Sequence, residues 1–135
     1  MTRSNRGANA RAEAARGDDA LRAAEALLGL DLPNDAVSRA YYAAFHYGRA
    51  LLLSEGLEPR THRGVFSLLE EQFERTSRLS SASLSSFARL QTFRGLADYD
   101  ATERLATDRA TAEVNAARAF VDEARALLAA LGVLD

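Results

Sequence analysis

The chain has 135 residues, a formal net charge of −2, 47% hydrophobic residues and no cysteine. That length fits one domain able to bury roughly two-thirds of its unfolded surface. The missing cysteines exclude a disulfide framework, a thiolate zinc site and a cysteine nucleophile, and the near-neutral charge argues against histone-like coating of nucleic acid.

Residues 1–10 are rich in Gly, Asn and Arg and are expected to form a flexible arm, leaving residues 11–135 as a single domain. With 28 Ala, 20 Leu, no Ile and no Trp, that domain is expected to be all-α, because strand-forming residues are scarce. Helical character runs to Gly29, with Asp18 or Asp19 as a plausible cap and Leu21, Ala24 and Leu28 as its apolar stripe. Pro33 blocks continuation, and Asn34 is placed to cap a second helix from about Asp35 to Glu55, closed by Gly56. Thr61 can cap a third helix reaching about Glu74. The serine-rich stretch from Thr76 to Ser86 reads as a loop, since serine bonds its own backbone and favours turns. A fourth helix is expected from about Ser83 to Asp98, and a fifth from a Thr107 or Asp108 cap to Leu131. The apolar residues of the fifth helix, Ala110, Val114, Ala117, Val121, Ala124, Leu128 and Leu131, are spaced alternately four and three apart and keep one face on a neighbour. The expected architecture is an antiparallel up-and-down bundle of four to five helices.

Two segments carry chemical information. In the first, Ser38 to Gly56, Arg39 and His46 lie seven residues apart, two helical turns, with Tyr42 between them on one stripe that Arg49 and Leu53 extend. A cation, a phenol and an imidazole on one face suit a bound phosphate and proton exchange with it. Tyr41, Phe45 and Leu52 form an adjacent stripe expected in the core, and Ala40, Ala43 and Ala44 permit close helix approach of the kind found at a dimer interface. In the second, Phe93 to Asp100, Arg94 and Asp98 can pair at i and i+4, and a mid-helix Gly95 suggests a close approach there. His62, in the first turn of the third helix, is expected to be neutral, because a helix N-terminus disfavours positive charge.

Taken together, RAYYAAFHYGRALLLSEGLEPRTH (Arg39 to His62) and RGLADYD (Arg94 to Asp100) resemble the small stand-alone prokaryotic HEPN proteins (higher eukaryotes and prokaryotes nucleotide-binding). The resemblance implies a helical bundle that forms a homodimer with a cleft between protomers, lined here by Arg39, Tyr42, His46, Arg94, Asp98 and Tyr99. Many members are ribonucleases needing no metal or other cofactor, in which an arginine, four to six residues and a histidine supply a phosphate clamp and an acid–base group. Here no histidine follows Arg94, and Asp98 and Tyr99 stand where nuclease members carry it. Arg39 and His46 satisfy the spacing on a different helix.

The resemblance therefore implies a nucleotide- or RNA-binding component with a degenerate ribonuclease motif. Its expected partner is a minimal nucleotidyltransferase, in a toxin–antitoxin-like pair where Tyr99 is the candidate for adenylylation. The alternatives are an active ribonuclease toxin using Arg94, His46 and Arg39, and a purely structural dimerisation partner. The segment from Asp98 to Asp135 carries 8 acids against 4 arginines, so an anion site is expected toward Arg39, Arg49 and Arg94. No run of residues is apolar enough to span a membrane, and the N-terminus has no apolar core like that of a secretory signal. A cytoplasmic location is expected.

Overall fold

The computed structural model describes residues 2–99 and 104–135, with the backbone alone at residues 3, 4 and 96–99. Among these residues it is all-α: α1 (Arg3–Gly29), α2 (Pro33–Ser54), α3 (His62–Leu69), α4 (Ser81–Tyr99) and α5 (Thr107–Ala130). A π-helical turn, Glu70–Glu74, extends α3 to the length its sequence suggests. None of the helices is long and apolar enough to cross a membrane among the described residues.

Helix α2 is the central element and packs against each of the other four. Cross-links fix the directions of its neighbours. Glu13 of α1 meets His46 and Arg49 of α2, whereas the start of α5 is tied to the α1–α2 turn by Thr107 and Asp31. Arg125, near the other end of α5, reaches Tyr47 and Asp18. In α4, Phe87 lies beside Gly48 and Arg94 beside Tyr42. Helices α1, α2, α4 and α5 thus run alternately up and down, with α3 as a short piece between α2 and α4. The expected antiparallel bundle is the observed one.

The core comprises small residues on α1, aromatic and leucine side chains on α2, and Phe73, Phe87 and Phe120 from the other elements. Ala40, Ala43 and Ala44 are fully buried within the single chain, so they serve packing inside the protomer and are not surface positions for a second copy. The opposing surface of α1 is equally lean. A Cβ built on Gly17 would stand 2.5 Å from the Tyr47 ring and 3.2 Å from the Ala43 carbonyl oxygen. Residues without bulk let α1 and α2 approach, and the Tyr47 ring fills the remaining space.

Several local expectations change. Helix α1 starts at Arg3, inside the segment expected to be an arm, because Thr2 accepts the Asn5 N–H and Ala10 joins the core. Asp18 and Asp19 fall in mid-helix, and Asp18 instead accepts the Tyr47 hydroxyl at 2.6 Å. Asn34 does not cap α2: its side-chain oxygen accepts the Leu105 N–H at 2.9 Å, tying the start of α2 to the segment before α5. Pro33, at the first helical position, has no N–H that needs a cap. Thr61 does cap α3, accepting from the Gly64 N–H at 2.9 Å.

The serine-rich loop is shorter than expected, since α4 begins at Ser81. Glu123 of α5 orders this corner by accepting from the Ser80 N–H and from the hydroxyls of Ser80 and Ser83. Ala106, not Thr107 or Asp108, is the N-cap of α5, without a side-chain bond. The α5 stripe is buried from Ala110 to Leu128, but Leu131 lies past the helix end and is 42% exposed.

Candidate functional site

The two informative segments meet at Tyr42. Arg94 Nη2 donates to the Tyr42 hydroxyl at 3.1 Å. Its guanidinium carbon lies 5.4 Å from the Tyr42 ring centroid and 5.3 Å from that of Tyr41. Arg39, three residues before Tyr42 on α2, places its guanidinium 4.9 Å from the Tyr42 centroid. Two cations therefore contact one phenol ring. Each such contact is worth about 0.5–1 kcal/mol where water has access.

Tyr41 points the other way, into the core, and is fully buried. Its hydroxyl lies 2.6 Å from His62 Nδ1. The imidazole of His62 stacks on Phe45 with centroids 4.2 Å apart and planes 16° from parallel. Burial pushes the Tyr41 hydroxyl up to about 12, with the charge of Arg94 opposing it. Tyr41 consequently keeps its proton, and its hydroxyl shares a hydrogen bond with the His62 ring. Burial lowers the pKa of His62, and the charges of Arg94, His46 and Arg49 lower it further. The ring is thus neutral near pH 7, as expected, but burial and neighbouring cations supply the cause beyond its place at a helix start.

His46 turns toward α1, where its Nδ1 lies 2.7 Å from Glu13 Oε2. Arg49 Nη1 approaches the other Glu13 oxygen at 3.4 Å. Burial raises the pKa of Glu13, but the His46 hydrogen bond and the charges of Arg49, His46 and Arg16 outweigh it and hold the carboxyl below 4.5. An ionised carboxylate that is 13% exposed and has two partners is costly to uncover.

Two open depressions adjoin these rings. One, of about 530 Å³, is lined by Arg16, Arg39, Tyr42 and His46. The other, of about 730 Å³, is lined by Phe45, Arg49, Arg60 and His62. Each has guanidinium groups next to an aromatic or imidazole ring, a combination that holds an anion and stacks on a flat group.

Of the residues singled out by the sequence, the structure gathers Arg39, Tyr42, His46 and Arg94, with Tyr42 and His46 rings 6.3 Å apart. Asp98 and Tyr99 belong to α4 by their backbone, but their side chains, and with them the Arg94–Asp98 pair, lie outside the described residues. Gly95 has no close approach to explain: a Cβ built there meets nothing within 4 Å among the described residues. Sequence reasoning missed Glu13 and the Tyr41–His62 bond. Glu13 had a signal, as the one acid among four arginines in residues 1–17. Tyr41 and His62 had none, being 21 positions apart on separate helices.

A central helix that carries Tyr41, Tyr42 and His46, with Arg94 of α4 on the Tyr42 hydroxyl and His62 of α3 on that of Tyr41, places the chain among small all-α bundles. The HEPN domain family matches residues 11–130, and the chain belongs to that family. It is 28% identical over 117 residues to a Methanocaldococcus jannaschii protein named "Putative toxin MJ0142", covering 87% of this chain and 80% of the relative. A second protein of that organism, "Putative toxin MJ0605", is 32% identical over 111 residues, covering 82% of each chain. A "UPF0332 protein" of Archaeoglobus fulgidus is 35% identical over 88 residues, 65% of this chain and 70% of that one.

Proposed function

We propose that this chain is the HEPN component of a toxin–antitoxin-like pair, a homodimer that binds a nucleotide or RNA and works with a minimal nucleotidyltransferase. Arg39, Tyr42, His46 and Arg94, joined by Asp98 and Tyr99, form the binding cleft, and Tyr99 is the residue the partner adenylylates. The observation that carries this reading is the Arg94–Tyr42 hydrogen bond, which joins both informative segments at one cationic, ring-lined place. The names of the two Methanocaldococcus relatives support the toxin-like role. Binding without cleavage suits a chain in which no histidine follows Arg94 on α4.

A second reading, a metal-independent ribonuclease, is favoured by one observation. His46 and His62 lie 6.3 Å and 6.1 Å from the Tyr42 ring, which Arg94 contacts. Two imidazoles beside a guanidinium are the groups that proton transfer at a phosphodiester requires.

Single-turnover incubation of the full-length protein with a mixed RNA pool in EDTA separates the two. Binding without cleavage is the expected result. Cleavage that disappears in both His46→Ala and Arg94→Ala establishes the nuclease instead. Absence of both binding and cleavage leaves a purely structural partner. For the pairing, full-length protein recovered under native conditions from its own cells is expected to carry a small nucleotidyltransferase in near-equal amount. Mass spectrometry then reads an adenylyl group on Tyr99, and its absence after incubation with that partner and ATP contradicts the modification.

A further inference from the structure

The end of the bundle where α1 begins and α2 and α5 finish holds a third depression, of about 610 Å³. Arg6 and Arg11 of α1, Glu55 after α2, and Leu131 and Val133 after α5 line it. None of these residues lines the depressions beside Tyr42 and His62. Arg6 lies seven residues before Glu13, two helical turns from the contact with His46.

Both guanidinium groups rest against a glycine. Gly56 follows α2 with a φ of +78°, and a Cβ built there would stand 2.7 Å from the Arg6 guanidinium carbon. A Cβ built on Gly7 would stand 3.1 Å from Arg11 Nη1. The missing side chains leave each cation its seat. Glu55, the one acid in the lining, pairs instead with Arg78. Arg6 Nε is buried and has no hydrogen-bond partner among the described residues. Cations are favoured beside the C-terminal ends of α2 and α5, which accounts for arginine at this place. It does not account for a buried charged donor without an acceptor, which folded proteins rarely leave.

We propose that this depression is an anion site separate from the one around Tyr42, and that it takes a phosphate monoester. The phosphate lies against Arg6 and Arg11, and the organic part of the ester lies on Leu131 and Val133. Two guanidinium groups match the double charge of the monoester, and their planar forks present paired N–H groups to its oxygens. The exposed Leu131 and the size of the depression suit a ligand larger than phosphate alone.

Proton–nitrogen NMR of the full-length protein tests this, with titrations of butyl phosphate, inorganic phosphate and acetate at mildly alkaline pH, where the monoester is a dianion. Butyl phosphate is expected to give saturable shifts of the Gly7 and Gly132 amides, both in the lining. Inorganic phosphate is expected to bind at the same amides about fourfold more weakly, the scale of one buried methylene group. Acetate is expected to give no saturable shift there. Arg6→Gln and Arg11→Gln are each expected to weaken butyl phosphate by about tenfold, the scale of a lost charge-assisted contact. Arg11 is exposed, so its variant keeps the fold even if Arg6→Gln disturbs the start of α1. Leu131→Ser is expected to bring the ester down to the affinity of inorganic phosphate. Absence of shifts at Gly7 and Gly132, or an unchanged affinity in Arg11→Gln, overturns the site. Equal affinities of the parent for the ester and for inorganic phosphate overturn the monoester, and acetate binding as tightly as phosphate overturns the choice of phosphate.

Discussion

Tyr41 and His62 show how one hydrogen bond can connect the core to the site. The phenol lies wholly in the interior, yet its hydroxyl ends on a ring that lines the larger depression. Removing it in Tyr41→Phe keeps the shape, leaves His62 Nδ1 without its partner, and is expected to cost about 1 kcal/mol in urea unfolding. His62 also sets a pH dependence. Its folded pKa lies below the 6.5 of an unperturbed imidazole, so between those values the unfolded chain binds a proton that the folded chain does not. Stability therefore falls as the pH drops from 6.5 through the lowered folded value. A series of urea midpoints is expected to show this decline, and His62→Gln is expected to remove it. An unchanged slope in His62→Gln contradicts the assignment. Glu13 acts in a separate window: its folded pKa is below 4.5, so its contribution is present above 4.5 and is lost as the pH falls through the folded value.

Helices α1 and α2 depend on small residues where they touch, and two glycines mark the contrast. Gly17 faces the Tyr47 ring, which an added Cβ would meet at 2.5 Å, so Gly17→Ala is expected to lower stability by about 2 kcal/mol. Gly95 faces open space among the described residues, so Gly95→Ala is expected to raise stability by about 0.5–1 kcal/mol through helix propensity. Thermal unfolding of the two variants should shift in opposite directions, and a shared direction contradicts the packing described. The same helices show what the sequence makes legible. Apolar stripes mark α1, α2 and α5, and Pro33, Gly56 and Thr61 mark ends correctly, because each acts within a few residues of itself. Asn34, Asp18 and the serines before α4 mislead, because partners far along the chain claim them: Leu105, Tyr47 with Arg125, and Glu123. At the site, Arg39, Tyr42 and His46 are legible as a stripe on one helix. Glu13 is marked only as the one acid among the arginines of residues 1–17, and its pairing with His46 depends on how α1 crosses α2.

Across the whole molecule the bundle brings α1, α2, α3 and α4 to one region. Each supplies a charged or ring group there: Glu13, the Tyr42 and His46 stripe, His62, and Arg94. The net charge of −2 hides this local excess of arginine, which the acids of residues 98–135 balance elsewhere in the sequence. A ligand phosphate held there exchanges bound counterions for arginine. Single-stranded RNA binding is therefore expected to weaken with salt, and Arg39→Ala to reduce the slope of log affinity against log salt by about 0.7. The direct test of the central claim, that Arg94 and Tyr42 form the anion-binding heart of this HEPN bundle, is a fluorescence-anisotropy titration. A short single-stranded RNA is titrated with the parent and with Arg94→Ala, with circular dichroism confirming that the variant remains helical. Saturable binding by the parent and affinity weaker by about tenfold or more in Arg94→Ala, the scale of a lost charge-assisted contact, is the predicted result. Equal affinities in the two proteins, or no binding by the parent, would contradict it.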